Sequence, residues 1–164
     1  AAGQLTKTAD YMEMAQLSLQ AGFPAEAMKV IEQGYKSGAL GTGTDAERHK
    51  RLRDLATKKL EESQKSIEQS EAEANASKEG EDLLKVGYAY VTMGKADKGL
   101  SLMAQGIKKD ALKRPDDAKL HLGIAQLQAG KKSEAVQTLK SVRGNDGTAD
   151  LARYWVLLSS RSAG

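Results

Sequence analysis

The chain of 164 residues contains no cysteine. That absence excludes disulfides, thiolate metal sites and cysteine nucleophiles, and it leaves the redox compartment open. Proline occurs only twice, phenylalanine once and tryptophan once, and no stretch alternates Val, Ile and aromatics as a strand would. No run of 18 apolar residues occurs, so nothing in this sequence is expected to span a membrane. Ala1-Ala2-Gly3 carries neither a basic nor an apolar targeting segment, which suits a mature or trimmed product. Charge of one sign is also lacking. The 25 basic and 22 acidic residues leave a net +3, a nearly balanced surface that reads as solubility more than as attraction to an acidic partner. Abundant Ala, Leu, Lys, Glu and Gln favour helix throughout.

What the chain does have is one spacing used three times. Ala15, Gly22 and Ala27 are spaced as Gly87, Gly94 and Gly99 are, and as Gly123, Gly130 and Ala135 are. The last two copies lie 36 residues apart and the first two 72, twice that period. A small residue, a glycine turn and a second small residue predict two helices whose backbones approach closely. In the first copy Tyr11, Met14, Ala15 and Ser18 form a stripe, Pro24 suits a first-turn position, and Ala27, Val30, Ile31 and Gly34 face back. The second copy reads Leu83, Val86, Gly87 and Tyr90, then Gly99, Leu102, Met103 and Gly106. The third reads Leu122, Gly123 and Gln126, then Ala135, Thr138, Leu139 and Val142. Glycine inside a helix costs about 1 kcal/mol relative to alanine, so Gly87, Gly99, Gly106 and Gly123 point to compensating close packing.

Repeated hairpins of this length build a solenoid, and these residues resemble the tetratricopeptide repeat family. The third copy matches best, and the second adds Tyr90 at the expected aromatic position. Tyr11, Leu83 and Lys119 replace the family's usual early tryptophan, and the period exceeds the usual value of about 34, which lengthens the connection between hairpins. The expected fold is an all-α, TPR-like superhelix in one domain over 1–164. Its hairpins fall at about 6–37, 80–112 and 115–143, with a charged helical insertion at 44–77 and a capping helix at 148–161.

Residues 44–77 lack the repeat signature. Thr44-Asp45-Ala46-Glu47 reads as a capping box, and sparse apolar positions follow at Leu52, Leu55, Ala56, Leu60 and Ile67. The segment forms either one long helix or a degenerate hairpin broken near Ser63–Ser66. Thr148 is a candidate N-cap for the last helix, with Leu151, Tyr154, Trp155 and Leu158 on one face and Trp155 as a core anchor. Gly38-Ala39-Leu40-Gly41-Thr42-Gly43 lacks the ending of a phosphate-binding loop and follows no strand, so it reads as a flexible loop.

Catalytic patterns are not evident. His49 and His121 have no partner at metal-ligand spacing, and no nucleophile elbow or zinc-protease helix occurs. Neither an enzyme, a cofactor nor a metal is expected. The family resemblance implies a peptide- or helix-binding groove lined by the first helix of each hairpin. Its residues would be Met12, Gln16 and Leu19, then Leu84, Tyr88 and Val91, then Leu120, Ile124 and Leu127. They are mostly apolar, which suits an amphipathic segment or the protein's own helices and not a carboxylate clamp. The expected function is protein–protein interaction or scaffolding. Alternatives are a homodimer through the Leu52/Ala56/Leu60/Ile67 seam, and weak polyanion or nucleic-acid binding by Arg48–Arg53 with Lys108, Lys109, Lys113 and Arg114. The last alternative has few aromatic stacking surfaces.

Asp10–Val30, Gly38–Lys59 and Ala118–Trp155 together are similar to the C-terminal part of larger, exported bacterial tetratricopeptide proteins. The segment from the Gly-rich loop through Arg48-His49-Lys50-Arg51-Leu52-Arg53 is the most specific element. This resemblance implies a fragment lacking upstream repeats and a periplasmic or envelope location, and it implies no reaction.

Overall fold

The computed structural model describes residues 7–109, 112–144 and 147–161, with all side chains but those of 158, 160 and 161. Residue 6 of the first expected hairpin, residues 110–111 of the second, and the expected contact of Leu158 lie outside them. The described residues form eight helices and no strand: α1 Thr8–Gln20, α2 Pro24–Lys36, α3 Ala46–Ala76, α4 Gly80–Thr92, α5 Ala96–Lys108, α6 Pro115–Gln128, α7 Lys132–Lys140 and α8 Thr148–Arg161.

Three of the helix ends share one device. Gly22, Gly94 and Gly130 adopt φ values of 82°, 86° and 76°, a region only glycine enters without strain. Each turn then closes with the same pair of bonds. The glycine N–H donates to the carbonyl of Leu19, Val91 or Leu127, and the following N–H donates to that of Ser18, Tyr90 or Gln126. This is a Schellman motif, which satisfies two carbonyls the helix end leaves over. Pro24 and Pro115 occupy first-turn positions, where the missing N–H costs nothing.

The contacts divide the chain into two compact units, residues 2–68 and 69–164. In the first, α1 and α2 pair around Ala15 and Ala27, both fully buried, with Tyr11, Met12, Ile31, Leu40, Leu52 and Ala56 completing the core. Met14, expected on the inward stripe, is exposed. The core takes in Met12 beside Tyr11, which turns position 14 outward.

The Gly38–Gly43 segment is tied down. Leu40 enters the core, its N–H donating to the Gly34 carbonyl, and the Thr8 hydroxyl donates to Ala39 O at 2.7 Å. The Gly41 N–H donates to Nδ1 of His49 at 3.1 Å, and His49 is only 3% exposed. A buried imidazole that accepts a backbone bond thus fixes the entry to α3. That helix begins at Ala46, two residues past Thr44, and runs unbroken for 31 residues, about 46 Å at 1.5 Å per residue. Of the two forms open for 44–77, the long helix is the one adopted.

The second unit contains the last turns of α3 and helices α4 to α8. Its tightest pairing is α4 with α5, sealed by glycines in reciprocal register. A Cβ on Gly87 would lie 2.6 Å from the Gly99 carbonyl oxygen, and one on Gly99 would strike the carbonyl of Gly87. Gly80 and Gly106 repeat the arrangement two turns away. Between them Leu83, Tyr90, Leu102 and Met103 are buried. Gly123 of α6 likewise receives the Leu139 side chain of α7, where a Cβ would come within 2.6 Å. Helix α7 ends at Lys140, so Val142, expected on its face, is buried from the following connection.

The terminal helix is rotated from its expected setting. Ala152, Trp155 and Val156 pack with Leu120, Leu139 and Val142, while Leu151 and Tyr154 face solvent. Small Ala152 lets the backbone approach α6 and α7, and the larger Trp155 flanks that contact. Thr148 is the first residue of α8 and not a preceding cap; its hydroxyl donates to the Asp117 carboxylate at 3.2 Å.

Gly87→Ala should lower stability by about 1–3 kcal/mol in urea unfolding through overpacking, although alanine is the better helix former. His49→Phe should cost about 1–3 kcal/mol by leaving the Gly41 N–H unpaired. His49→Asn, which can offer an amide oxygen to that N–H, should recover part of the loss in the same measurement.

Candidate interaction surface

Of the residues expected to line a groove, all but Gln16 pack within the protein's own helix clusters. In the first unit Met12 is buried, Leu19 packs against the same core and Gln16 is exposed. In the second, Val91 is buried and Leu84 and Tyr88 are half-buried, in one cluster with Leu100 and Met103 of α5, Leu122 and Ala125 of α6, and Ala129 just past its end. Gln128 also donates to the Tyr88 hydroxyl at 3.1 Å. Leu120, Ile124 and Leu127 in turn pack with Trp155, Val156 and Ala152 of α8. Each of these two triads is thus gathered into a cluster with the helix two places further along the chain.

On α8 the sequence is apolar around the whole helix from Tyr154 to Leu157, because neighbouring positions lie about 100° apart. One side meets α6 and α7, and the other leaves Leu151, Tyr154 and Leu157 at 45%, 53% and 63% exposure. The unbroken apolar run Tyr154-Trp155-Val156-Leu157 was the sequence signal for two apolar sides. Only the inward side was expected to matter.

Beside this face lies a half-open cleft of about 730 Å³ between α7 and α8. Leu139, Val142, Val156 and Leu157 supply its apolar lining. Its charged lining is Lys140, Arg143, Arg153 and Asp150. The loop carrying Arg143 is held by its own N–H, which donates to Asp116 at 3.1 Å, and by Nη1, which donates to the Lys140 carbonyl at 2.9 Å. Arg153 and Asp150 form an ion pair of 2.9 Å with both side chains mostly exposed. Such a pair is weak and readily exchanged.

The most connected polar group is a different kind of site. The Tyr90 hydroxyl donates to Glu71 Oε2 at 2.6 Å, and the Lys98 ammonium meets the same oxygen at 2.6 Å while lying 4.5 Å from the Tyr90 ring centroid. The bond from Lys98, then that from Tyr90, holds the Glu71 carboxyl below its ordinary value. Burial, then the bond to Glu71, raises the Tyr90 phenol. Both shifts move away from neutrality, so the triad acts as a pin joining the end of α3 to α4 and α5. The Lys109 ammonium closes the same end by donating to the carbonyls of Ala74, Asn75 and Ser77.

The basic residues considered for polyanion binding are partly committed. Lys109 caps α3, Lys113 lies 3.8 Å from Glu79, Arg114 pairs with Asp117 at 2.9 Å, and Arg53 stacks on Tyr35. Arg48, Lys50, Arg51 and Lys108 are exposed. His121 is exposed, its Nδ1 2.8 Å from the Asp117 carbonyl. Among the described residues no group of three or more His, Asp or Glu converges as metal ligands, and no helix is long and apolar enough to cross a membrane. No family model, curated protein or solved structure matches the chain.

Because the Glu71 carboxyl is lowered on folding, its contribution is present above the ordinary carboxylate range and is lost as pH falls through the depressed value. Lys98 is raised by the same contact, so the pair weakens again only in strong base. Glu71→Gln should therefore destabilise the protein across neutral pH, with the difference from wild type shrinking below about pH 4, as read by urea unfolding against pH.

Proposed function

We propose that this chain is a non-catalytic protein–protein interaction module whose hairpins form a TPR-like superhelix. It binds a peptide or partner helix on apolar helix surfaces. One observation carries this reading. In the second unit apolar helix faces are covered by the helix two places further along the chain, α4 by α6 and α6 by α8, whereas α8 presents Leu151, Tyr154 and Leu157 to solvent. Open apolar faces of stacked repeats are where such proteins accept partners. A periplasmic or envelope setting belongs to the same proposal and rests on the resemblance to exported bacterial tetratricopeptide proteins.

The two alternatives have less support. Leu52, Ala56 and Ile67 of the seam proposed for a homodimer are buried, the first two in the core of the first unit. Polyanion binding draws on cations of which several already serve intramolecular contacts.

Photo-reactive residues placed at Gln16, Leu151 and Tyr154 of the full chain should yield discrete protein adducts in an extract of the source cells. The same residue at exposed Lys132 should not. Absence of adducts from all three positions, with folding verified by circular dichroism, would overturn the interaction reading.

A further inference from the structure

We propose that the cleft between α7 and α8 receives an acidic amphipathic helix from a partner protein. Its apolar side chains sit on Val156 and Leu157, above the buried Leu139 and Val142, and its carboxylates meet Lys140, Arg143 and Arg153. The inference rests on the protein-binding reading above and adds the location and the chemistry of the partner.

Shape and charge argue together. The cleft is continuous with the exposed side of α8 through Leu157, which lines it and is 63% exposed. Its volume of about 730 Å³ lies within the range of formed binding sites. Among the described residues three cationic side chains line it against one carboxylate, Asp150, which Arg153 already balances. Arg143 spends one guanidinium donor on the Lys140 carbonyl and keeps others of its fork for a carboxylate. A basic segment would meet this excess unfavourably. A helix is the occupant that matches the neighbouring walls, because each such face elsewhere in the second unit is filled by a helix laid into an apolar seat. Apolar burial would supply most of the affinity, and the charged lining would supply orientation and on-rate. A flat anionic membrane suits the site less well, because the apolar lining is recessed and Asp150 is beside it.

The test selects random helical peptides displayed on yeast against the full wild-type chain, with counter-selection against Leu157→Asp/Arg153→Glu. Both positions are exposed, so the variant should retain the wild-type melting curve. Enriched peptides should carry Leu, Ile or Met at i, i+3 or i+4 and i+7 with net negative charge. Their Kd should rise at least tenfold in the variant and should also rise between about 50 and 300 mM salt.

Recovery of neutral or basic peptides, retained affinity in the variant, or no peptide dependent on Leu157 would overturn the proposal. Wild-type binding to phosphatidylglycerol vesicles that the variant loses would assign the surface to a membrane instead. A concentration-dependent dimer lost in the variant would assign it to a second copy. If the selection fails while photo-crosslinks persist at Gln16, the location and chemistry fall and the interaction reading stands.

Discussion

The second unit depends on the backbone-to-backbone approach of α4 and α5. Gly87 faces Gly99 and Gly80 faces Gly106, each at the other's carbonyl, so no side chain holds the two helices apart. Gly87, Gly99 and Gly106, inside their helices, cost about 1 kcal/mol apiece against alanine. The return is dense contact along the whole pair, with Leu83, Tyr90, Leu102 and Met103 buried around the seam and gaining dispersion that a looser pairing forfeits. The same approach sets the position of Tyr90 and Lys98, which together grip Glu71. Lys109, just beyond α5, reaches the carbonyls at the end of α3. A steric choice in two helices thus organises the polar contacts of a third.

The first unit reaches a comparable end by other means. Alanines take the place of glycines at its seam, with Ala15 and Ala27 fully buried. Leu40 is delivered into the core by a loop that three positive-φ glycines make possible. His49 then secures that loop from within α3. Glycine therefore does different jobs in the two units, allowing close helix packing in one and a turning loop in the other.

Along α4, α6 and α8 the apolar faces pass from one helix to the next. Leu84, Tyr88 and Val91 are occupied by α6, and Leu120, Ile124 and Leu127 by α8. Surface that looks like a binding groove in the sequence is consumed in stacking. The apolar area left over moves to α8, beside a cleft with cationic side chains in its lining. The proposed interaction follows from that displacement.

The sequence by itself determined the helices, their turns and the close pairings. Local chemistry suffices for these: Gly22, Gly94 and Gly130 can stop a helix wherever they occur, and Gly87 and Gly99 announce close approach through their cost. Periodicity also placed Leu83, Gly87, Tyr90 and Met103 inward. Only the tertiary structure decided which way α8 turned, because Tyr154, Trp155, Val156 and Leu157 offer apolar surface in every direction and Ala152 settles the choice by fitting against its neighbours. It likewise decided that residues 46–76 run as one helix and that His49 is buried. Gly80 was not singled out in the sequence, since at the first position of a helix it resembles an ordinary terminus. Its role exists only because Gly106, 26 residues later, comes to lie against it. Local propensity is written in neighbouring residues, whereas a helix with two apolar sides takes its orientation from partners distant in the chain.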